Sequence, residues 1–172
     1  LIFTIAWYLS NYSIDWLYWA FLASLASATA DTWETEIGSF AKSLPLNILT
    51  WKRVPKGFSG GISLLGTSGG VIGAALIVSI AATMGFIQGD IILIVTIIIA
   101  GFLGSIIDSI LGASIQAKFE CAVCGKNTEK VSHCHQETKH VSGVLWLDND
   151  WVNVAGSLSG GLIFIAVYFL FI

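Results

Sequence analysis

The sequence predicts an all-α polytopic membrane protein. It is read as one integral membrane domain over residues 1–172, with four to five transmembrane helices and a small Cys/His-rich cytoplasmic insert over 118–147. Three observations predict this. Hydrophobic residues make up 55% of the 172 and charged residues 11%, with a mean hydropathy of +0.81; a soluble domain carries about 25% charged residues. The apolar residues collect in charge-free runs of the length a crossing helix needs, ~20 residues and ~17 at the low end. All eight Lys and Arg fall in two segments. An outer-membrane barrel does not fit, because period-2 alternation is missing and the runs are too long.

Residues 1–14 carry no charge and read as the remainder of one helix. The only Met is Met84 and the chain opens on apolar Leu1, so further N-terminal helices are expected upstream. Residues 16–30 form the next span. Residues 57–88 are uncharged and supply a third, apolar from about Ile62 onward. Residues 91–107, dense in Ile, Leu and Val, form the fourth. The 22-residue uncharged run 151–172 forms the fifth.

Lys42, Lys52, Arg53 and Lys56 lie between the second and third spans, and Lys118, Lys126, Lys130 and Lys139 between the fourth and fifth. The other connections hold Asp15 and Asp90 but no base. The positive-inside rule puts both basic segments in the cytoplasm. Two spans separate them, so the two assignments agree. Asp31, Glu34 and Glu36 then end the second span on that face. "VPKGFSGGISLLGTSGG" opens the third span there, Asp108 closes the fourth, and "LDNDWVN" leads into the fifth.

Asp31 and Glu34 are three apart and share a helical face. Asp108 is the only charge between residues 91 and 117, and an ionisable group at such depth is a functional candidate by default. Asn149 and Asn153, four apart, share a face if helical. Carboxylate and amide oxygens suit Mg²⁺, which typically takes one or two carboxylates plus substrate phosphates. Glu36 and Asp150 are equally well read as helix caps or partners of loop lysines. In the glycine-rich stretch, Gly57, Ser59, Gly60 and Gly61 are the phosphate candidates, since glycine lets backbone amides approach an anion at a helix start. Lys52, Arg53 and Lys56 stand immediately upstream. The stretch lacks the GK[ST] ending of a P-loop. Gly66, Gly69, Gly70 and Gly73, like Gly101 and Gly104, read as close helix packing.

All three cysteines lie in one loop. Cys121-x₂-Cys124 followed by His133-Cys134 can complete a tetrahedral structural zinc site, with His135 or His140 as alternatives to His133. A cytoplasmic loop disfavours disulfides. Eight basic residues split over two loops are too few for a nucleic-acid surface. Every His lies in this loop, so no Ser–His–Asp set is visible.

"ADTWETEIG", "VPKGFSGGISLLGT", "GSIIDSILGASIQ" and "LDNDWVN" follow one another in the order and spacing of the integral membrane family called domain of unknown function 92. The resemblance covers roughly residues 28–156. That family includes plant phytyl-phosphate kinase, and its prokaryotic members often carry a Cys-x₂-Cys…His-Cys insert. The resemblance implies phosphorylation of an isoprenyl monophosphate (phytyl, geranylgeranyl or polyprenyl) by a nucleoside triphosphate, CTP or ATP, in a prokaryotic cell membrane with the active face cytoplasmic. On this expectation Asp31, Asp108 and Glu34 hold Mg²⁺, with Asn149 and Asn153 beside them. Lys52, Arg53, Lys56 and the amides of Gly57, Ser59, Gly60 and Gly61 hold the donor phosphates. Cys121, Cys124, His133 and Cys134 hold structural Zn²⁺. Two rival functions share the acids: a CDP-lipid synthase-like cytidylyltransferase, and a transporter or ion channel. The second fits poorly with the nearly apolar outer halves of the spans, such as residues 91–99 and 162–172.

Overall fold

A computed structural model describes residues 1–87 and 91–171. Asp90 of the outer connection, Gln88 at the end of the third run and Ile172 lie outside the described residues. The described chain is mostly helical: α1 (Ile2–Leu9), α2 (Asp15–Ser39), α3 (Leu64–Thr83), α4 (Ile91–Ser114) and α5 (Asn149–Phe171). Short strands fill two connections. β1 (Leu46–Asn47) and β2 (Gly61–Ile62) form an antiparallel pair between α2 and α3. β3 (Lys118–Cys121), β4 (Asn127–Thr128), β5 (Ser132–His133) and β6 (Gln136–Ser142) lie between α4 and α5, in the order β4-β3-β6-β5.

Among the described residues, α3, α4 and α5 are the three helices long and apolar enough to cross a membrane. Their outward faces carry exposed Leu65, Ile72, Ile80, Ile92, Ile99, Leu103 and Leu162, a pattern that suits lipid rather than water. α2 is different because it is central, packed on α1, α3, α4 and α5. Ala20, Ala23, Ala26, Ser27 and Ala30 are all buried. Small residues let neighbouring backbones approach, and a helix face packed against four others needs little lipophilicity of its own.

Glycines on the surrounding helices complete this contact. A Cβ on Gly69 would lie 2.9 Å from the Trp33 carbonyl oxygen, and one on Gly101 2.6 Å from Ala26 Cβ. Serines add polar links between α2 and α5: Ser24 Oγ and Ser157 Oγ are 2.9 Å apart, and Ser27 Oγ donates to the Gly156 carbonyl at 3.1 Å. Aromatic rings gather at the other end of α2, where Trp16 meets Phe169 and Trp19 meets Phe164 and Tyr168.

Local signals explain the helix ends. Ser63 sits in extended conformation before α3 and its Oγ accepts from the Gly66 N–H at 3.1 Å, an N-cap. α3 stops at Gly85, φ +79°, with Gly85 N–H on the Ala82 carbonyl and Phe86 N–H on that of Ala81, a Schellman closure. Two boundaries differ from the sequence reading. The first charge-free run is helical only to Leu9, after which Asn11 and Tyr12 take positive φ. The second continues past Ala30 to Ser39, because Trp33 and Ile37 pack on Gly73 and Gly69 of α3. The carboxylates, expected on one helical face at the end of that span, lie within the last turns of this longer helix. The insert, read from sequence as a loop, is an ordered sheet. It is tied to the end of α4 by Ala117 N–H on the Leu147 carbonyl and Val144 N–H on that of Ile115.

Candidate functional site

α2 and α4 both end, and α3 and α5 both begin, around one cavity of about 390 Å³. Asp31 and Glu34 enter from α2, one turn apart and half-buried. Asp108 enters from α4, and Asn149 and Asn153 from the first turns of α5. The carboxyl groups of Asp31 and Asp108 are neighbours across the cavity end of α2 and α4, and Glu34 lies near Ser105. Among the described residues, Glu34 Oε1 and Asp108 Oδ2 are buried without a hydrogen-bond partner. Buried carboxylate oxygens left this way are costly unless a cation or a proton meets them.

Two glycines make room for these acids. Gly70 of α3 lies against Glu34, where a Cβ would come within 2.9 Å of Glu34 Cδ. Gly156 of α5 lies against Asp108, where a Cβ would be 2.7 Å from Asp108 Cβ. Each carboxylate thus occupies space left by a missing side chain on the facing helix.

The opposite wall is the glycine loop. Lys56, Gly57, Ser59, Gly60 and Gly61 all line the cavity. Gly60 has φ +75° and sits on α4, where a Cβ would be 2.6 Å from the Ser109 carbonyl oxygen. Lys56 Nζ donates to the carbonyls of Ser39 at 3.0 Å and Ala41 at 2.5 Å, which caps the C-terminal end of α2. Lys52 and Arg53 are exposed on the β1–β2 connection and do not line the cavity. Of the residues expected at the site, these two alone stand apart.

Sequence reasoning missed Glu129. It comes from the insert, and its Oε1 accepts from the Ser59 N–H at 3.1 Å and from the Ser59 hydroxyl. No periodicity or spacing marks it; only the fold of the insert brings it to the loop. Thr32, Thr35, Glu36, Ser63 and Thr67 also line the wall.

Within the insert, the ligand atoms of Cys121, Cys124, His133 and Cys134 all lie within 4.8 Å of one another. His133 Nδ1 is 3.6 Å from Cys124 Sγ and 3.2 Å from Cys134 Sγ. Tetrahedral zinc with ~2.3 Å bonds to sulfur sets its ligands ~3.8 Å apart, so this donor set can take the metal. The backbone N–H of Cys124 leads the effects that hold the Cys121 thiol low, at about 6, and a thiolate is the ligating form. His140 instead stacks edge-on against Phe119, with ring centroids 5.5 Å apart.

Comparison with known proteins gives three informative relatives. The uncharacterized membrane protein MJ0933 of Methanocaldococcus jannaschii is 29% identical over 161 residues, covering 93% of this chain and 55% of its own length. Protein PGR of Arabidopsis thaliana is 34% identical over 144 residues, covering 77% of this chain and 48% of its own. Protein VTE6, chloroplastic, of the same plant is 27% identical over 143 residues, covering 83% of this chain and 35% of its own. The chain spans about half the length of the first two relatives and about a third of the last. No solved structure matches. The model of the family described as "Integral membrane protein DUF92" matches residues 1–161. With nearly the whole sequence under that match and its apolar helices gathered around α2, the chain belongs to the DUF92 family of integral membrane proteins.

Proposed function

We propose that this chain carries the phosphoryl-transfer site of a membrane-bound kinase, which converts an isoprenyl monophosphate to the diphosphate with CTP or ATP. One observation carries the reading. Carboxylates from two helices meet with unpartnered oxygens on Glu34 and Asp108, across a cavity from a glycine loop. That pairing of an oxygen-rich pole with a glycine loop whose backbone lies close suits a metal–polyphosphate complex. The family resemblance supplies the isoprenyl substrate.

On this reading α2 is a fourth crossing helix. Its 25 residues reach ~37 Å at 1.5 Å per residue, and its small buried residues are shielded from lipid by α3, α4 and α5. The basic connections, and with them the cavity, face the cytoplasm. Asp31, Asp108 and Glu34 hold Mg²⁺, with Asn149 and Asn153 offering amide oxygens nearby. Bound there, the cation neutralises charge on the phosphoryl group in transfer.

The rest is the work of the chain. Gly57 and Gly60 bring loop backbone to the donor phosphates, and Lys56 holds that loop against the end of α2. An oxygen of the lipid phosphate attacks the terminal phosphorus of the donor. The bond from that phosphorus to the bridging oxygen breaks, and the nucleoside diphosphate leaves. A phosphate monoester is already an anion, so the step needs no general base, in keeping with a cavity wall without His. Catalysis is then mostly positioning. Cys121, Cys124, His133 and Cys134 would hold zinc, which would fix the fold of the insert that carries Glu129.

The test is transfer of label from γ-³²P-CTP or γ-³²P-ATP into geranylgeranyl or phytyl monophosphate by purified full-length protein with Mg²⁺. Labelled lipid diphosphate is the expected product. Release of pyrophosphate with a CDP-lipid would replace the kinase by a cytidylyltransferase. Consumption of neither donor would remove the phosphoryl-transfer reading.

A further inference from the structure

A second cavity, of about 470 Å³, adjoins the first. Gly57, Phe58 and Glu129 line both volumes, so the two adjoin at the start of the glycine loop. Its far wall is the insert: Lys118, Asn127, Thr128 and Lys130, with Val141 and Ser142. The character of this wall is unlike that of the first cavity. The first is built around carboxylates. To the shared Phe58 ring and Glu129 carboxylate the second adds two lysines, an amide and hydroxyls. Lys118 Nζ lies 4.7 Å from the centre of the Phe58 ring and donates to the Ala113 carbonyl at 3.0 Å. Lys130 is exposed at the rim.

We propose that this second cavity binds the nucleoside end of the donor nucleotide, with its phosphate chain running past Gly57 into the acidic cavity. The inference rests on the kinase reading and deepens it. Three arguments support it. Two substrates of opposite solubility must meet at one site. The lipid tail reaches the acidic cavity from among the helices, so the water-soluble donor needs an approach from the insert side, where this cavity lies. Pockets of roughly 300–1,000 Å³ suit ligands of nucleoside size. A polyphosphate entering a cavity ringed by Asp31, Glu34 and Asp108 also needs cationic neighbours. Besides Lys56, whose ammonium is engaged on two carbonyls, the lysines lining this route are Lys118, which donates to Ala113 and lies over Phe58, and exposed Lys130. The Phe58 ring offers an apolar face for a base, and Asn127 and Thr128 offer polar edges.

The insert then has a function beyond its own fold: it forms one wall of the donor site. Glu129 is held on the Ser59 N–H, at the seam between the cavities.

The experiment is a fluorescence titration of full-length, detergent-purified protein with the trinitrophenyl analogues of ATP and CTP, without lipid acceptor. The wild type should bind one of them. Lys130→Glu should weaken that binding at least tenfold. Phe58→Ala should weaken it several-fold. Lys139→Glu changes an exposed insert lysine outside the cavity and should leave it unchanged. In turnover, Lys130→Glu should raise the KM for donor and leave that for acceptor unaltered. Lys130 is exposed, so its variant tests binding rather than folding. Wild-type binding with unchanged affinity in Lys130→Glu and Phe58→Ala would overturn this site and leave the kinase standing. Failure of the wild type to bind either analogue would overturn both.

Discussion

Gly156→Ala adds one methyl group at the carboxylate end of the bundle. Gly156 of α5 faces Asp108 of α4, and a Cβ there would lie 2.7 Å from Asp108 Cβ and 2.9 Å from its Oδ2. Ordinary carbon contacts are ~3.5–4.0 Å. Either α4 and α5 separate by about 1 Å or Asp108 swings away; both move it relative to Asp31. Overpacking costs ~1–3 kcal/mol, and Ala regains ~1 kcal/mol over Gly in a helix. The net loss of stability is therefore small, ~0–2 kcal/mol by difference. A 1 Å misplacement of a catalytic group costs on the order of a hundredfold in rate. The expected result is a transfer rate about a hundredfold lower with only a modest fall in melting temperature. Gly101→Ala is the control. Its Cβ would press on Ala26 Cβ at 2.6 Å, about two helical turns from Asp108, ~10 Å along the axis. It should cost similar stability and leave the rate per folded molecule near that of the wild type. Equal rates for Gly156→Ala and the wild type, or equal losses in both variants, would refute the reasoning.

Two further substitutions test the parts that support the cavity. Cys121→Ser should abolish binding of one zinc per chain, read by elemental analysis, and should speed hydrogen exchange across β3 and β6; unchanged zinc content would exclude this donor set. Asn47 is buried, and its Oδ1 accepts from the N–H groups of Leu49 and Thr50 at 3.0 and 2.9 Å and from Thr50 Oγ1 at 3.2 Å. Asn47→Ala should therefore cost ~1–3 kcal/mol locally. Faster exchange confined to the β1–β2 connection is the expected signature, and exchange equal to that of the wild type would show that the turn holds without it.

The gathering of four helix ends around one cavity was legible because charge-free runs and lysine placement both report topology. Asp31, Glu34, Asp108, Asn149 and Asn153 follow from that topology, since acids and amides near apolar runs need a reason. The metal-ligand spacing of Cys121, Cys124, His133 and Cys134 was equally visible, because it is local. The true end of α2 was not. Carboxylates normally signal the end of a membrane run, and only the glycines of α3 show why Trp33 and Ile37 continue the helix. The sheet of the insert was hidden for a different reason: three of its strands are two to four residues long, too short for any alternation to register. Glu129 depends on that sheet and was hidden with it. Lys52 and Arg53 were grouped with Lys56 on sequence proximity, but the β1–β2 connection turns them away from the cavity while Lys56 stays on its wall.

The central claim is that Asp31 and Asp108 together form a cation site at the cavity. The most direct measurement is titration of Mn²⁺ into purified full-length protein, followed by the loss of the free-ion electron paramagnetic resonance signal. Wild type, Asp31→Asn and Asp108→Asn would be compared with a non-hydrolysable donor analogue present. The expected result is a tight Mn²⁺ site in the wild type that Mg²⁺ displaces and that either asparagine weakens at least tenfold, with both variants still folded. Equal Mn²⁺ binding in all three proteins would contradict it.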